Sequence, residues 1–265
     1  MKVLDAIKKG FEIAGKNMNL VLIVFIFNAI WNLGVIPFTP QAPAAGGAGV
    51  TMSPQLTLLS ILFVLASIFI QGGVLGSIKD VIKEGKLELG KFAGYGAKFY
   101  LRLLCLALII ILLVGVIGFF ATFVIAASAP TKNVVLIALA TIVTLALILA
   151  GIAVLIFLFL SPYILVMEDM GIFQAIRTSI DFVKKLILNV IGLGVMLVLI
   201  GFGIGLVMGL VAGVLSFIIK GKFLQVLTGL INGGVNAYLS IVVASCLACY
   251  YLAMKGSGAK ETATQ

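Results

Sequence analysis

Apolar residues run through this chain in six long blocks, at about 18–37, 57–78, 102–128, 133–161, 187–219 and 223–254, and polar residues are confined to the segments between them. Inside the blocks there is neither the two-residue alternation of a half-buried strand nor a regular series of turn residues. Each block therefore predicts a helix and not a barrel strand. Crossing a hydrocarbon core takes about 20 apolar residues as helix, so the pattern predicts six spans. The fifth block is too long for a simple crossing: as one helix it would measure about 50 Å against about 30 Å of hydrocarbon. It must tilt, break or run past the surface.

The polar segments have a period of their own. From Gly171 onward, Gln174, Arg177, Thr178, Asp181, Lys184 and Lys185 fall on one helical face, and Ile172, Phe173, Ile176, Ile180, Val183 and Ile187 on the opposite one. This is an amphipathic helix, too polar to span and apolar on one side, which predicts a position in the membrane interface. Glu168 and Asp169 are placed at its N-terminus, where the helix dipole favours negative charge, and Asp181 with Lys185 forms an i,i+4 pair. The N-terminus repeats the pattern. "VLDAIKKGFEIAGK" set above "IFQAIRTSIDFVKK", at an offset of 169, matches Ala6 with Ala175, Ile7 with Ile176, Lys8 with Arg177, Glu12 with Asp181 and Lys16 with Lys185. A weaker third copy, "FAGYGAKFYLR", places Gly96 over Ser179, Phe99 over Phe182 and Arg102 over Lys185 at an offset of 83.

The chain then reads as one membrane domain, 1–254, of three pseudo-repeat units at about 3–78, 89–161 and 172–254, followed by a polar tail, 255–265. Each unit is an amphipathic helix followed by a hairpin of two spans. The competing reading is that any basic interfacial helix before a span looks like this. The expected fold is all-α and integral to the membrane, with six transmembrane helices as three hairpins, each preceded by a cytoplasmic interfacial helix.

Charge orients this arrangement. Fifteen of the eighteen basic residues precede the first span, follow the sixth, or lie between the second and third or the fourth and fifth; the other segments hold only Lys132, Lys220 and Lys222. The positive-inside rule then places both termini in the cytoplasm. The first outer segment, "TPQAPAAGGAGVTMSPQ", is uncharged and contains an Ala-x-Ala pattern, but the apolar stretch before it is longer than a signal h-region, so no cleavage is expected.

Composition agrees with the pattern: 63% of residues are hydrophobic, 10% are charged and mean hydropathy is +1.31. An ordinary soluble domain has about 45–50% apolar and about 25% charged residues. The expected location is the inner or plasma membrane of a prokaryotic cell. The net charge of +9 is interspersed with acids on segments flanking spans, which points to anionic lipid headgroups and away from nucleic acid. There is no His and there are three Cys, so no catalytic set, metal site or cofactor is expected. Cys105, Cys246 and Cys249 all fall near helix ends and read as small buried residues. No charged residue is assigned to a span, which disfavours ion-coupled pumping.

Three sets of residues carry candidate roles. Lys8, Lys9, Lys16, Lys98, Arg102, Arg177, Lys184 and Lys185 form the basic faces expected to meet lipid. Gly201, Gly205, Gly209 and Gly213 make a four-step ladder that permits close helix approach, within the chain or across a homo-oligomer. Thr228, Asn232, Asn236 and Ser240 recur at i,i+4 on the sixth span, with Asn28 and Asn32 on the first and Gln71 on the second. Amides in lipid need partners, either other helices or a polar cavity where Asn232-Gly233-Gly234 interrupts the helix.

The segment "SPYILVMEDMGIFQAIRTSIDFVKK", Ser161 to Lys185, resembles part of a group of multi-pass prokaryotic membrane proteins, which includes the membrane domain attached to some glycerophosphodiester phosphodiesterases. The residues that carry it are Pro162-Tyr163, Glu168 to Gly171, Ala175-Ile176, Ser179 and Lys184-Lys185. The resemblance implies a fold and no reaction, since the sequence has neither a phosphodiesterase catalytic domain nor any His. The expected function is non-enzymatic: binding or organising anionic lipid, or docking a membrane or cytoplasmic partner, through the basic helices. The alternative is a transporter or channel for a small uncharged or zwitterionic solute, lined by the amides.

Overall fold

The computed structural model describes residues 3–35, 54–128, 130, 133–219 and 221–262. The described residues form α1 (Val3–Lys16), α2 (Met18–Val35), α3 (Pro54–Glu84), α4 (Phe92–Ser128), α5 (Val134–Leu158), α6 (Ser161–Glu168), α7 (Ile172–Lys185), α8 (Ile187–Ile218) and α9 (Lys222–Thr262), with no strand among them. Six helical stretches are long and apolar enough to cross a membrane: α2, α3, α4, α5 with α6, α8, and most of α9. The protein is thus a multi-pass helical membrane protein. Most of the segment between the first and second spans, together with Lys2, Lys132 and Lys220, lies outside the described residues.

Two long helices settle questions of continuity. The fifth span, α8, is unbroken over 32 residues, about 48 Å. α9 passes through Asn232-Gly233-Gly234 without interruption, so the break that the polar-cavity alternative placed there does not occur. A glycine costs a helix interior about 1 kcal/mol relative to alanine, and what it permits here is contact: a Cβ on Gly233 would lie 3.4 Å from Asn32 Nδ2 and 3.6 Å from Asn28 Cβ, so α2 lies close against α9.

The chain divides into two compact units, Met1–Tyr100 with Gly192–Gln265, and Leu101–Ile191. In the first, α9 is the central helix. Ala237, Ile241, Cys246, Leu247 and Ala248 along it are fully buried, and α1, α2 and α3 all pack on it. α1 buries Ala6, Gly10 and Ala14, one residue per turn, and a Cβ on Gly10 would lie 2.8 Å from the Val242 carbonyl oxygen. Helices approach this closely only where side chains are absent. α3 and the start of α4 interlock differently, glycine against ring: Gly73 faces Phe92, Gly76 faces Tyr95, and Gly96 faces Phe69. Trp31 and Phe27 of α2 stack on Phe63 of α3 at 4.3 and 5.3 Å.

In the second unit α5 ends at Leu158, and α6 restarts with Pro in its first turn, where its missing N–H costs nothing. α6 then closes at Asp169, which adopts φ +53° and caps the helix through its backbone N–H to the Leu165 carbonyl. Glu168 and Asp169 therefore belong to the end of α6 and not to the start of α7, whose N-cap is Gly171. The positive φ terminates one helix before the next can begin. α7 packs on α5 and α6 through Ala175, Ser179 and Val183, and the Ser179 hydroxyl donates to the Phe157 carbonyl at 2.6 Å.

α1 and α7 have the same length and sit 169 residues apart, as the sequence match requires. Their buried positions correspond as well: Ala6 with Ala175, Gly10 with Ser179, Ala14 with Val183. The middle copy differs. Only a 3-10 turn, Leu89–Lys91, precedes the third span, and no separate amphipathic α-helix does: α4 runs without a break from Phe92 to Ser128. Ala93, Gly94 and Ala97 supply no turn signal that would end it.

Candidate functional site

Burial decides which faces of α1 and α7 remain available. The line of small residues on each is turned to protein, so only part of the apolar surface predicted to meet lipid is left exposed. Leu4 and Phe173, equivalent under the 169-residue offset, are 56% and 79% exposed. One turn beyond each stands an exposed cation, Lys8 or Arg177. Such pairings of an apolar side chain with a basic one suit the boundary between acyl chains and headgroups.

The eight predicted basic residues fall into two groups. Lys16 pairs with Glu12 at 2.6 Å and holds its carboxyl below the usual range for glutamate. Arg102 pairs with Asp169 at 2.8 Å, and Lys98 lies 5.1 Å over the Phe99 ring. Lys8, Lys9, Arg177, Lys184 and Lys185 are exposed and make no ion pair or hydrogen bond among the described residues. The expected Asp181–Lys185 pair is absent too; an exposed pair gains at most about 1 kcal/mol, too little to fix two solvated side chains.

The glycine ladder and the amides meet where neither was assigned to the other. α8 stands off from α9 and leaves a cleft of about 320 Å³, lined on one side by Gly201, Gly205 and Gly209 and on the other by Asn232 and Asn236. A Cβ on any of the four ladder glycines, Gly213 included, would meet nothing within 4 Å. Among the described residues the ladder therefore makes no close helix crossing within the chain; of its two expected packing roles, that leaves the crossing between copies. Asn232 and Asn236 lie about 15 and 21 Å along α9 from its start and have no hydrogen-bond partner among the described residues. An amide left unpaired in an apolar medium costs roughly 2–7 kcal/mol.

The other predicted amides do not join them. Asn28 makes a long 3.5 Å contact from its Nδ2 to the Gly233 carbonyl, and Asn32 lines a separate pocket of about 240 Å³ with Trp31 and Gln225. Gln71 is exposed on α3. The hydroxyls of Thr228 and Ser240 donate back to their own helix, to the carbonyls of Leu224 and Ala237. Thr228 also borders a space of only about 10 Å³ toward the α8–α9 connection, with Met208 and Leu215.

One buried acid had no predicted role. Asp80, on the helix that carries the second span, is 6% exposed and accepts a 2.7 Å hydrogen bond from the Tyr95 hydroxyl. The signal that could have exposed it is the pair Gly73 and Gly76 just before it, which face Phe92 and Tyr95. Tyr95→Phe removes the hydroxyl and leaves the carboxylate buried without that donor, which costs about 1–3 kcal/mol or more for a charged group. The expected result is a lower melting temperature in detergent, with Asp80→Asn in the Tyr95→Phe background recovering part of it. Equal melting of the native protein and Tyr95→Phe would show the hydrogen bond to be idle.

Among the described residues no cluster of His, Cys, Asp or Glu could hold a metal ion. Cys246 and Cys249 are buried as expected, whereas Cys105 is exposed. A family model described as a domain of unknown function matches residues 1–254. Neither curated proteins nor solved structures contain a match to the chain.

Proposed function

The chain belongs to the DUF7847 family of domains of unknown function, and on that footing we propose that it is a non-enzymatic membrane protein that holds anionic lipid headgroups on the basic faces of α1 and α7. The observation that carries this reading is the correspondence of those two helices: each packs a matched line of small residues on a span and presents exposed cations that make no ion pair or hydrogen bond among the described residues. Lys8 and Lys9 do so on α1, and Arg177, Lys184 and Lys185 on α7. The charge asymmetry of the sequence puts both faces on the cytoplasmic side, where anionic lipids concentrate. The likeness of Ser161–Lys185 to the membrane domain attached to some glycerophosphodiester phosphodiesterases fits a shared fold. In this chain the residues that carry it build the α5–α6–α7 elbow: Pro162 opens α6, Asp169 closes it, Gly171 caps α7 and Ser179 ties α7 to α5.

Each basic residue near an anionic surface contributes about 1 kcal/mol, so Lys8→Gln with Lys9→Gln should weaken retention of phosphatidylglycerol about 30-fold. Native mass spectrometry of protein released from nanodiscs of phosphatidylglycerol and phosphatidylcholine measures it. If the double variant retains as much phosphatidylglycerol as the native chain, headgroup binding on α1 is wrong.

A further inference from the structure

We propose that the cleft between α8 and α9 binds the head region of an uncharged lipid, one bearing hydroxyl or ester groups, which enters sideways from the bilayer. The chemistry of the lining sets the class. Asn232 and Asn236 each offer one carbonyl acceptor and two N–H donors, one helical turn apart, and no charged residue lines the cleft. An ion would find no counter-charge there, whereas hydroxyl and ester groups match carboxamides in both directions. Across the gap the ladder glycines present no side chain, so the volume between the helices is left to the ligand. At about 320 Å³ the cleft falls at the lower end of the usual ligand-pocket range of about 300–1,000 Å³. That suits a lipid head with its first chain carbons, the tails remaining in the bilayer.

The route follows from the lining of the cleft and the space beside it. Toward the α8–α9 connection a second, separate space of only about 10 Å³ lies beside Met208, Leu215 and Thr228, so the room for a ligand is in the cleft itself. Beside the two amides the lining is apolar, with Ile204, Met208, Ala212, Val235 and Leu239, so the walls of the cleft suit the first carbons of acyl chains. A ligand that arrives from the bilayer needs no aqueous path.

Dioleoylglycerol is the probe, added to the purified full-length protein in detergent, with glycerol and phosphatidylglycerol as comparisons. The expected result is a rise in melting temperature with dioleoylglycerol that glycerol does not reproduce. Binding should be at least tenfold weaker in Asn232→Leu with Asn236→Leu, and equally in Gly205→Leu, which fills the cleft from the opposite wall at a position where a Cβ meets nothing within 4 Å. Lys8→Gln with Lys9→Gln should leave dioleoylglycerol binding unchanged, which separates this site from the basic faces. Stabilisation by glycerol alone would replace the lipid with a water-soluble solute. Copy-to-copy cross-linking of Gly205→Cys would replace it with a second copy of the chain. No response of the native protein to dioleoylglycerol, or an undiminished response in both cleft variants, overturns the site.

Discussion

Gly76→Leu is expected to abolish the α3–α4 packing and to yield protein that is lost or aggregated after detergent extraction. A Cβ at position 76 would fall within the Tyr95 side chain, against its Cβ and Cγ. The ring cannot simply turn aside, because its hydroxyl is tied to buried Asp80 at 2.7 Å. Neighbouring contacts remove the remaining freedom: a Cβ on Gly73 would meet the Phe92 ring at 2.6 Å and one on Gly96 would meet Phe69 at 2.8 Å. Overpacking costs about 1–3 kcal/mol, and displacing Tyr95 adds about 1–3 kcal/mol for the stranded carboxylate. Together, at about 2–6 kcal/mol, these reach the lower end of a domain's whole stability, about 5–15 kcal/mol. Gly76→Ala should show an intermediate loss. Gly118→Leu is the control: it lies on α4 where a Cβ meets nothing within 4 Å, and it should extract as the native protein does. Equal yield and melting of Gly76→Leu and Gly118→Leu would sink the interlocking account.

Gly10→Leu is expected to lift α1 from α9 while the spans remain folded. The obstacle is backbone, the Val242 carbonyl oxygen at 2.8 Å, with Cys246 Cβ at 3.0 Å. Backbone in the central helix has nowhere to retreat, because α9 is packed on its other sides by α2 and α3. Cys246 and Cys249 report the separation, being 0% and 8% exposed in the native packing. In a Cys105→Ser background, maleimide labelling of these thiols should rise at least tenfold in Gly10→Leu. Gly15→Leu, at an open position on the same helix, should label at the native rate. Protection unchanged in Gly10→Leu would mean that α1 does not depend on this close approach.

How far the sequence could be read depended on the range of the interaction involved. The six spans were legible because hydrophobic length is a local property of the chain and the bilayer thickness is fixed. α7 was legible from its periodicity, and α1 from its match to α7. Continuity at Asn232-Gly233-Gly234 stayed open in the sequence, since a glycine pair signals a break or a close contact with equal force, and only the position of α2 against Gly233 tells them apart. The role of Asp169 was misread for a related reason: an acid between two helices suits either terminus, and the positive φ that assigns it to α6 is a backbone fact.

The candidate site was legible in its parts and not in its assembly. Gly201, Gly205 and Gly209 stood out by spacing, as did Asn232 and Asn236, but helical spacing says only that each set shares a face. Which faces oppose each other depends on the rotation of α8 and α9 about their axes, and no local signal carries that angle. Length, hydropathy and charge thus determined that this is a six-span helical membrane protein with matched basic helices at positions 3 and 172, because those properties act through the solvent along each segment separately. Tertiary structure alone decided that the small-residue lines of α1 and α7 are buried, that the glycine ladder faces the amides across a gap, and that Asp80 meets Tyr95. Those are contacts between surfaces distant in sequence, and they exist only once the helices have chosen their neighbours.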